Sequence, residues 1–485
     1  MIGVLLAADA TPAGNVDIGG YFRVMARPDL QGGNGRLGYW NLYGRLLNEG
    51  PYGMVDLRYD VLAPEPGSDA PWTSVHARVE GGSIANADPG NGSLSLFRLS
   101  QVYVKSGNVL LNDVTWQLGT LEYFFGDLGL YDIRPATLFF QTVGLSALYR
   151  TDQLELLLGL GDSGYAVHGL RYDAIPTGGG AIRVRPGKHL ELGVGGEYKL
   201  ERGVAGSVNA PYQTPDVAYE DWVRGEVVDR YLQEYGDDLI DYFPDAVPRT
   251  GRSYAVIGQV GFGGAGPLRW NNLFVRWERL HPERSSFEDG LGEPIEIWVH
   301  DFTDQRTQFV LGDEAQLSLV PRRLDLALAG LYGNQWDLDN QIAPSDFDRT
   351  YLSGVLRLQA YATDTVHFLV ESSLAREWSR NGNRYREHAD SLFANAGGQS
   401  DSRGLEWGDA DARRTWQGKG GIVLNPLGPG IFARPSLRIL YGVQYSNQNN
   451  AFGNAFVETI DQYDDFGNVE QHWHHLLALE AEVWF

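Results

Sequence analysis

Apolar side chains at every second position, with charged ones between them, restrict this chain more than any other feature. Between Val16 and Val24, the residues Val16, Ile18, Phe22 and Val24 share one face, and Asp17, Tyr21 and Arg23 share the other. Leu42 and Leu46 oppose Asn41, Tyr43 and Arg45 in the same way, and Val55, Leu57, Tyr59 and Val61 oppose Asp56, Arg58 and Asp60. The final segment repeats the pattern: Leu477, Leu479, Ala481, Val483 and Phe485 against Leu476, Ala478, Glu480, Glu482 and Trp484. Successive side chains of a strand point to opposite faces, so each segment reads as a strand with one greasy and one charged wall. Charges at every second position are ruinous if both faces meet lipid and harmless if one face meets water. A membrane barrel meets both conditions, and the aromatic finish fits the address read by barrel-assembly machinery.

Composition agrees with that architecture. A chain of 485 residues could hold two or three soluble domains or one large barrel. It has no cysteine, so disulfides and thiolate metal sites are excluded. A net charge of -23 argues against a nucleic-acid partner, which needs a basic surface. Outer loops beside lipopolysaccharide and its divalent cations would accommodate that charge. The 61 glycines, 25 tyrosines and 12% aromatic content suit tight turns and aromatic girdles. No apolar run approaches the ~20 residues of a membrane helix, and the longest, Leu154 to Leu160, is followed by Gly161.

Residues 1–10 read as the remnant of an export signal, with Ile2 to Ala8 as its apolar core and Ala8-Asp9-Ala10 as small residues for cleavage. Residues 11–485 form one domain, an all-β transmembrane antiparallel barrel. At roughly 25 residues per strand and loop the length fits about 16 to 20 strands, and an even number is the bacterial rule. Short turns such as Asn48-Glu49-Gly50-Pro51 alternate with long polar loops. One of these, 203–252, is expected to be a partly helical outer loop, because Asp221 to Phe243 carries apolar residues at helical spacing. It reads as surface decoration sooner than as a lid. Glu387 to Arg413 reads as another outer loop.

At four places the sequence resembles the maltoporin family of sugar-specific outer-membrane channels. Val16-Asp17-Ile18-Gly19-Gly20-Tyr21-Phe22-Arg23 looks like its opening strand, and Arg36-Leu37-Gly38 with Leu42-Tyr43 resembles its second. Ile431 to Arg438 is similar to the family's aromatic-x-Arg-Pro-x-x-Arg strand, and Ala481 to Phe485 matches its doubly aromatic finish. The resemblance implies an eighteen-stranded barrel, a homotrimer, and a third outer loop folded inward as a constriction. It also implies passive diffusion of oligosaccharides along a spiral of aromatic rings, the slide, facing a track of ionisable groups. No cofactor is called for.

Carried over by position, the slide comprises Tyr21, Tyr43, Phe432 and Trp484, with Phe274 as a fifth candidate sharing a face with Arg276 and Glu278. The alternation puts the first four among charges, on the inward side. Flat rings suit the apolar C–H faces of a pyranose, while charged neighbours exchange hydrogen bonds with its hydroxyls. The polar track carries Arg23 and Arg98, and Asp127, Asp132 and Arg134 fall within the expected constriction loop, Gly119 to Leu145. Arg134 stands where maltodextrin-specific members have a tyrosine, Phe125 where they have a basic residue and Gly129 where they have a histidine; Arg45 replaces an acidic residue. Those departures leave the saccharide open, and the added arginines could favour acidic sugars.

Other signals are weaker. His472, His474 and His475 around Trp473 read as an interfacial band sooner than a metal site. Asp337-Leu338-Asp339-Asn340 and the acidic stretch at 461–465 lack the spacing of a calcium loop. No Gly-x-Ser-x-Gly motif supports a membrane hydrolase. A channel without neutral-sugar specificity, general or selective for acidic polysaccharides, is the alternative to the sugar slide.

Overall fold

The computed structural model describes residues 14–28, 35–38, 41–63, 69–82, 97–164, 174–201, 208–209, 251–279, 284–288, 294–298, 307–336, 350–378, 412–447 and 472–485. The expected signal remnant, the helical stretch within 203–252, and the acidic stretches at 337–340 and 461–465 lie outside them.

In chain order the strands are β1 (Asn15–Ala26), β2 (Tyr52–Leu62), β3 (Trp72–Gly82), β4 (Phe97–Gly107), β5 (Val114–Phe124), β6 (Thr137–Arg150) and β7 (Leu154–Asp162). Then come β8 (Pro176–Val184), β9 (Leu190–Glu201), β10 (Val208–Asn209), β11 (Gly251–Ala265), β12 (Leu268–Arg279), β13 (Arg284–Glu288) and β14 (Pro294–Trp298). The last are β15 (Thr307–Val320), β16 (Leu324–Trp336), β17 (Thr350–Tyr361), β18 (Val366–Trp378), β19 (Ala412–Leu424), β20 (Ser436–Ser446) and β21 (Trp473–Trp484). β10, β13 and β14 make a small separate sheet; the other eighteen make one antiparallel sheet. β21 pairs with β1, setting Tyr21 opposite Trp484 and Arg23 opposite Glu482, so the sheet closes on itself.

Closure follows from chemistry. Leu160 is 71% exposed on the outer surface, and Leu158, Leu374, Val370, Leu477 and Leu479 join it in an apolar band around the wall. Inside, β18, β19 and β21 bury Glu371, Glu377, Lys419, Glu480 and Glu482. Only a closed sheet satisfies every main-chain group in hydrocarbon while keeping those charges away from it. Aromatic residues collect on the outer face near one rim, where Tyr254 meets Trp277 and Tyr445 meets Trp473, with ring centroids 5.2 and 4.9 Å apart. At that rim run the long connections, 202–250, 379–411 and 447–472 among them; at the other run the short turns 151–153, 266–267 and 321–323. This is a bacterial outer-membrane barrel, with its long loops on the outside.

Two sequence expectations change. The strand expected around Leu42 to Leu46 does not exist: Asn41–Tyr43 is a turn of 3-10 helix, and the barrel's second strand is Tyr52–Leu62. Leu37, Leu42, Leu46 and Leu47 are all buried, so this segment has no outer face at all. It lies within the barrel, where Leu37, Leu46 and Leu47 form a cluster with Leu369, Val423, Leu440 and Leu476 of the wall. Apolar residues mark a segment packed inside as readily as one facing lipid, and a short window cannot separate the two. Accordingly Asn48 to Pro51 is the return limb into β2 rather than a strand-to-strand turn; Asn48 Nδ2 donates to Gly44 O at 2.6 Å and to Gln417 Oε1 at 3.0 Å. The second change concerns Ile431 to Arg438. Pro435 has no N–H for a ladder, and β20 begins only at Ser436.

Candidate functional site

The interior is where any solute must pass, and two segments fold into it. The connection between β5 and β6, residues 125–136, turns inward as the constriction loop. Leu128, Leu130 and Tyr131 are fully buried in a cluster with Leu138, Phe139, Ile257, Phe274, Val310, Leu331 and Val355 of the wall. Glu314 accepts from the Leu130 N–H at 2.7 Å, and the Tyr131 hydroxyl donates to Ser353 Oγ at 3.2 Å. Residues 35–38 and 41–50, between β1 and β2, enter from the same rim, and the Arg45 N–H donates to Leu130 O at 2.8 Å. The two segments thus brace each other across the barrel axis. Gly44 makes close approach possible: it has φ +82°, and a Cβ there would sit 2.8 Å from Glu371 Oε1.

Ion pairs seat these segments. Arg23 bonds Glu49 and lies 3.7 Å from Asp132, while Arg45 lies 3.3 Å from Glu49 and bonds Glu482. Arg434 and Arg438 converge on the same Glu482, at 2.9 and 2.5 Å. Burial pushes Glu49 up to about 8, against the pull of Arg23. Burial also pushes Asp132 upward, but Arg45 and Arg23 outweigh it and hold this carboxyl below its usual range. The two carboxyls, one from each inward segment, are therefore shifted in opposite directions. Deeper in the wall, Glu371 holds Arg357 at 2.6 Å and Lys419 at 2.8 Å, all three buried. Lys419 also donates to Tyr43 O at 2.8 Å.

These contacts fill one half of the barrel. Along β15 to β21 nearly every inward side chain is buried, including Glu314, Arg357, Gln359, Glu371, Gln417, Gln444 and His474. On β2 to β5 the inward faces stay partly open. Arg78 bonds Asp56 at 2.7 Å, Arg58 bonds Asp60 at 2.8 Å, and Gln101 donates to Glu122 at 2.5 Å. Arg134 bonds Glu122 at 3.1 Å with its own side chain 44% exposed. His76 stacks on Tyr103 at 4.7 Å, and Lys105 sits 5.1 Å above the Tyr103 ring. The open space is eccentric and walled by charge of both signs.

The expected site residues divide accordingly. Tyr43 and Phe274 are buried in the apolar cluster, Tyr43 with its hydroxyl on Glu377. Burial pushes the Tyr43 phenol well up. Phe432 is half-buried on the turn before β20, 6.2 Å from Trp270. Tyr21 is 5% exposed, and its hydroxyl bonds Glu482; its ring lies 4.6 Å from that of Trp484, which is 51% exposed. Arg434 lies 5.8 Å from both ring centroids. Of the five aromatics, therefore, Tyr21 and Trp484 pair with each other, while Tyr43, Phe274 and the partly buried Phe432 belong to the apolar cluster. Arg23 and Asp132 meet, Arg98 is exposed on β4 opposite Glu80, Asp127 is exposed on the constriction loop, and Arg134 bonds Glu122. Gln101, Glu122, Glu49 and Glu371 went unnoticed in the sequence. Gln101 sits beside a register shift in the β3–β4 pairing, which breaks simple alternation. The three histidines occupy the outer end of β21: His474 is buried inward, and His475 stacks on Tyr441 at 6.1 Å.

No protein-family model and no curated protein matches the chain. Among solved structures it is similar to Pseudomonas aeruginosa OprD, at 10% identity and TM-score 0.40 over 98% of both chains. Acinetobacter baumannii OccAB2 matches at 8% identity and TM-score 0.39, over 97% of this chain and 98% of that one. Pseudomonas aeruginosa OpdK, in a structure with vanillate, matches at 10% identity and TM-score 0.39, over 97% of this chain and 98% of that one. None of these three is a maltoporin, and likeness this distant says nothing about cargo.

Proposed function

We propose that the barrel is a passive channel for small polar solutes, acidic sugars among them, which cross along the inner face of β2 to β5. One observation carries this reading: the inward side chains there are charged and partly open, whereas those of β15 to β21 are buried. Conduction needs weak, repeated sites so that a solute can leave as well as enter. Alternating pairs such as Arg78–Asp56 and Arg134–Glu122 offer such sites to hydroxyls and carboxylates. Residues 41–50 and 125–136 set the width, and no bond of the solute is broken.

The neutral-oligosaccharide reading rests on Tyr21 and Trp484, a two-ring platform with Trp484 left open. Single-channel recording separates the two. Acidic oligosaccharides should block ion current more strongly than neutral maltooligosaccharides of equal length, and Arg78→Ala or Arg134→Ala should erase the difference. Trp484→Ala should leave acidic block intact. If neutral glucans block better and Trp484→Ala abolishes that block, the aromatic platform is the binding site and the charged-wall reading fails.

A further inference from the structure

The wall has a seam. The ladder between β4 and β5 joins Tyr103–Gly107 to Thr115–Gly119 and ends there, although β4 starts at Phe97 and β5 runs on to Phe124. Past that point β4 keeps β3 as a neighbour through Phe97, and β5 keeps β6 through Phe124. The strands thus part in the half nearer the long loops, which is the outer leaflet. The fork lies at Gly119, with φ +124°, where a Cβ would sit 2.7 Å from Tyr103 Cα.

Side chains take over from the ladder at this fork. Thr120 Oγ accepts from the Val102 N–H at 3.0 Å and faces the Val102 carbonyl at 3.1 Å. Gln117 donates to the Thr120 carbonyl at 2.7 Å, and Gln101 reaches across to Glu122. Each unmet main-chain group in hydrocarbon costs several kcal/mol, so a wall that parts at bilayer depth requires compensation. Here it comes from side chains, which can let go without unzipping strands. The two sides of the seam differ in chemistry. Toward the lumen stand Arg98, Gln101, Glu122 and Arg134; toward the bilayer stands Leu99, 61% exposed, with Leu118, 62% exposed, on the paired ladder beside the fork. The guanidinium of Arg134 lies 4.2 Å from the ring centroid of Phe124, at the boundary between them.

We propose that this seam is a lateral portal for amphipathic anions between the lumen and the outer leaflet. Arg98 and Arg134 take the anionic head, and the apolar tail leaves through the parted strands past Leu99. Charge inside and grease outside match a molecule of that build, and the seam adjoins the open, charged strip rather than the filled half. A solute without a tail has no use for the portal and keeps to the axial route.

The chain has no cysteine, so Gln101→Cys with Glu122→Cys sets its only two thiols across the seam. The double variant, reconstituted in phospholipid vesicles, is compared before and after bridging with a bifunctional maleimide. The probes are radiolabelled decyl sulfate and ethyl sulfate, which share a permanently charged head. Bridging should bring decyl sulfate uptake down to the level of protein-free vesicles and leave ethyl sulfate uptake unchanged. Arg98→Ala should lower decyl sulfate uptake about tenfold, the worth of one charge-assisted contact. Equal effects on both probes, or none on decyl sulfate, overturn the portal; absence of ethyl sulfate uptake by the unaltered protein would instead overturn the channel reading. A spin label on Leu99→Cys gives an independent measure. It should relax with oxygen dissolved in the lipid, whereas strong coupling between labels on two copies would show a second barrel covering the seam and overturn the proposal.

Discussion

At Glu371 the protein stakes a fully buried carboxylate on two buried cations, Arg357 and Lys419. Removing one partner of such a group leaves uncompensated charge, which costs far more than the intact cluster contributes. Glu371→Ala should therefore destabilise the barrel by about 3–5 kcal/mol, read as a lower urea midpoint for loss of the compact, heat-modifiable band. Replacing an open residue of the charged strip, as in Arg78→Ala, should change ion preference and leave that midpoint nearly unmoved. That Tyr21, Arg23, Glu480, Glu482 and Trp484 face inward was legible from alternation alone. Their partners were not: Arg45 meets Glu482 from the far end of the chain, and nothing local in either segment announces the other.

Among the elements, the inward segment 41–50 departs most from its sequence pattern and makes the sharpest prediction. Glu49 is raised to about 8 in the folded protein from a reference of 4.5. Below about pH 4.5 both folded and unfolded chains hold its proton, so its contribution is fully present there. As pH climbs toward 8 the unfolded chain ionises first, and stability is lost across that window. Asp132 runs the other way: its folded value lies below 3.8, so its contribution is present above that pH and lost on acidification through the folded value. Above about pH 8 both carboxyls carry charge, which sets like charges on the two inward segments. Single-channel records should then become noisier with higher mean conductance, and Glu49→Gln should abolish the change. A flat pH profile in the unaltered protein would dissociate Glu49 from loop seating. The constriction loop was expected from the family resemblance at Gly119 to Leu145; β5 and β6 take up its flanks, so the inward part is the narrower 125–136. The first segment was misread because Leu42 and Leu46, two leucines four apart, fit a strand face and a packed turn equally well.

For the molecule as a whole, the governing distinction is between hydrocarbon outside and water with charge inside. Leu158, outward at the middle of β7 and 70% exposed, tests it directly. Leu158→Arg should cost about 2–4 kcal/mol, measured by urea titration of the protein folded into vesicles. A change near zero would place that face in water and undo the membrane assignment. Period-two alternation determined the barrel by itself, because the direction of each side chain along a strand is a local property that every residue pair reports. The inward course of residues 41–50, the burial of Tyr43 and Phe274, and the parting of β4 from β5 were decided only in three dimensions. They depend on which distant surfaces meet, and an alternating pattern records that a face is turned inward without recording what waits for it there.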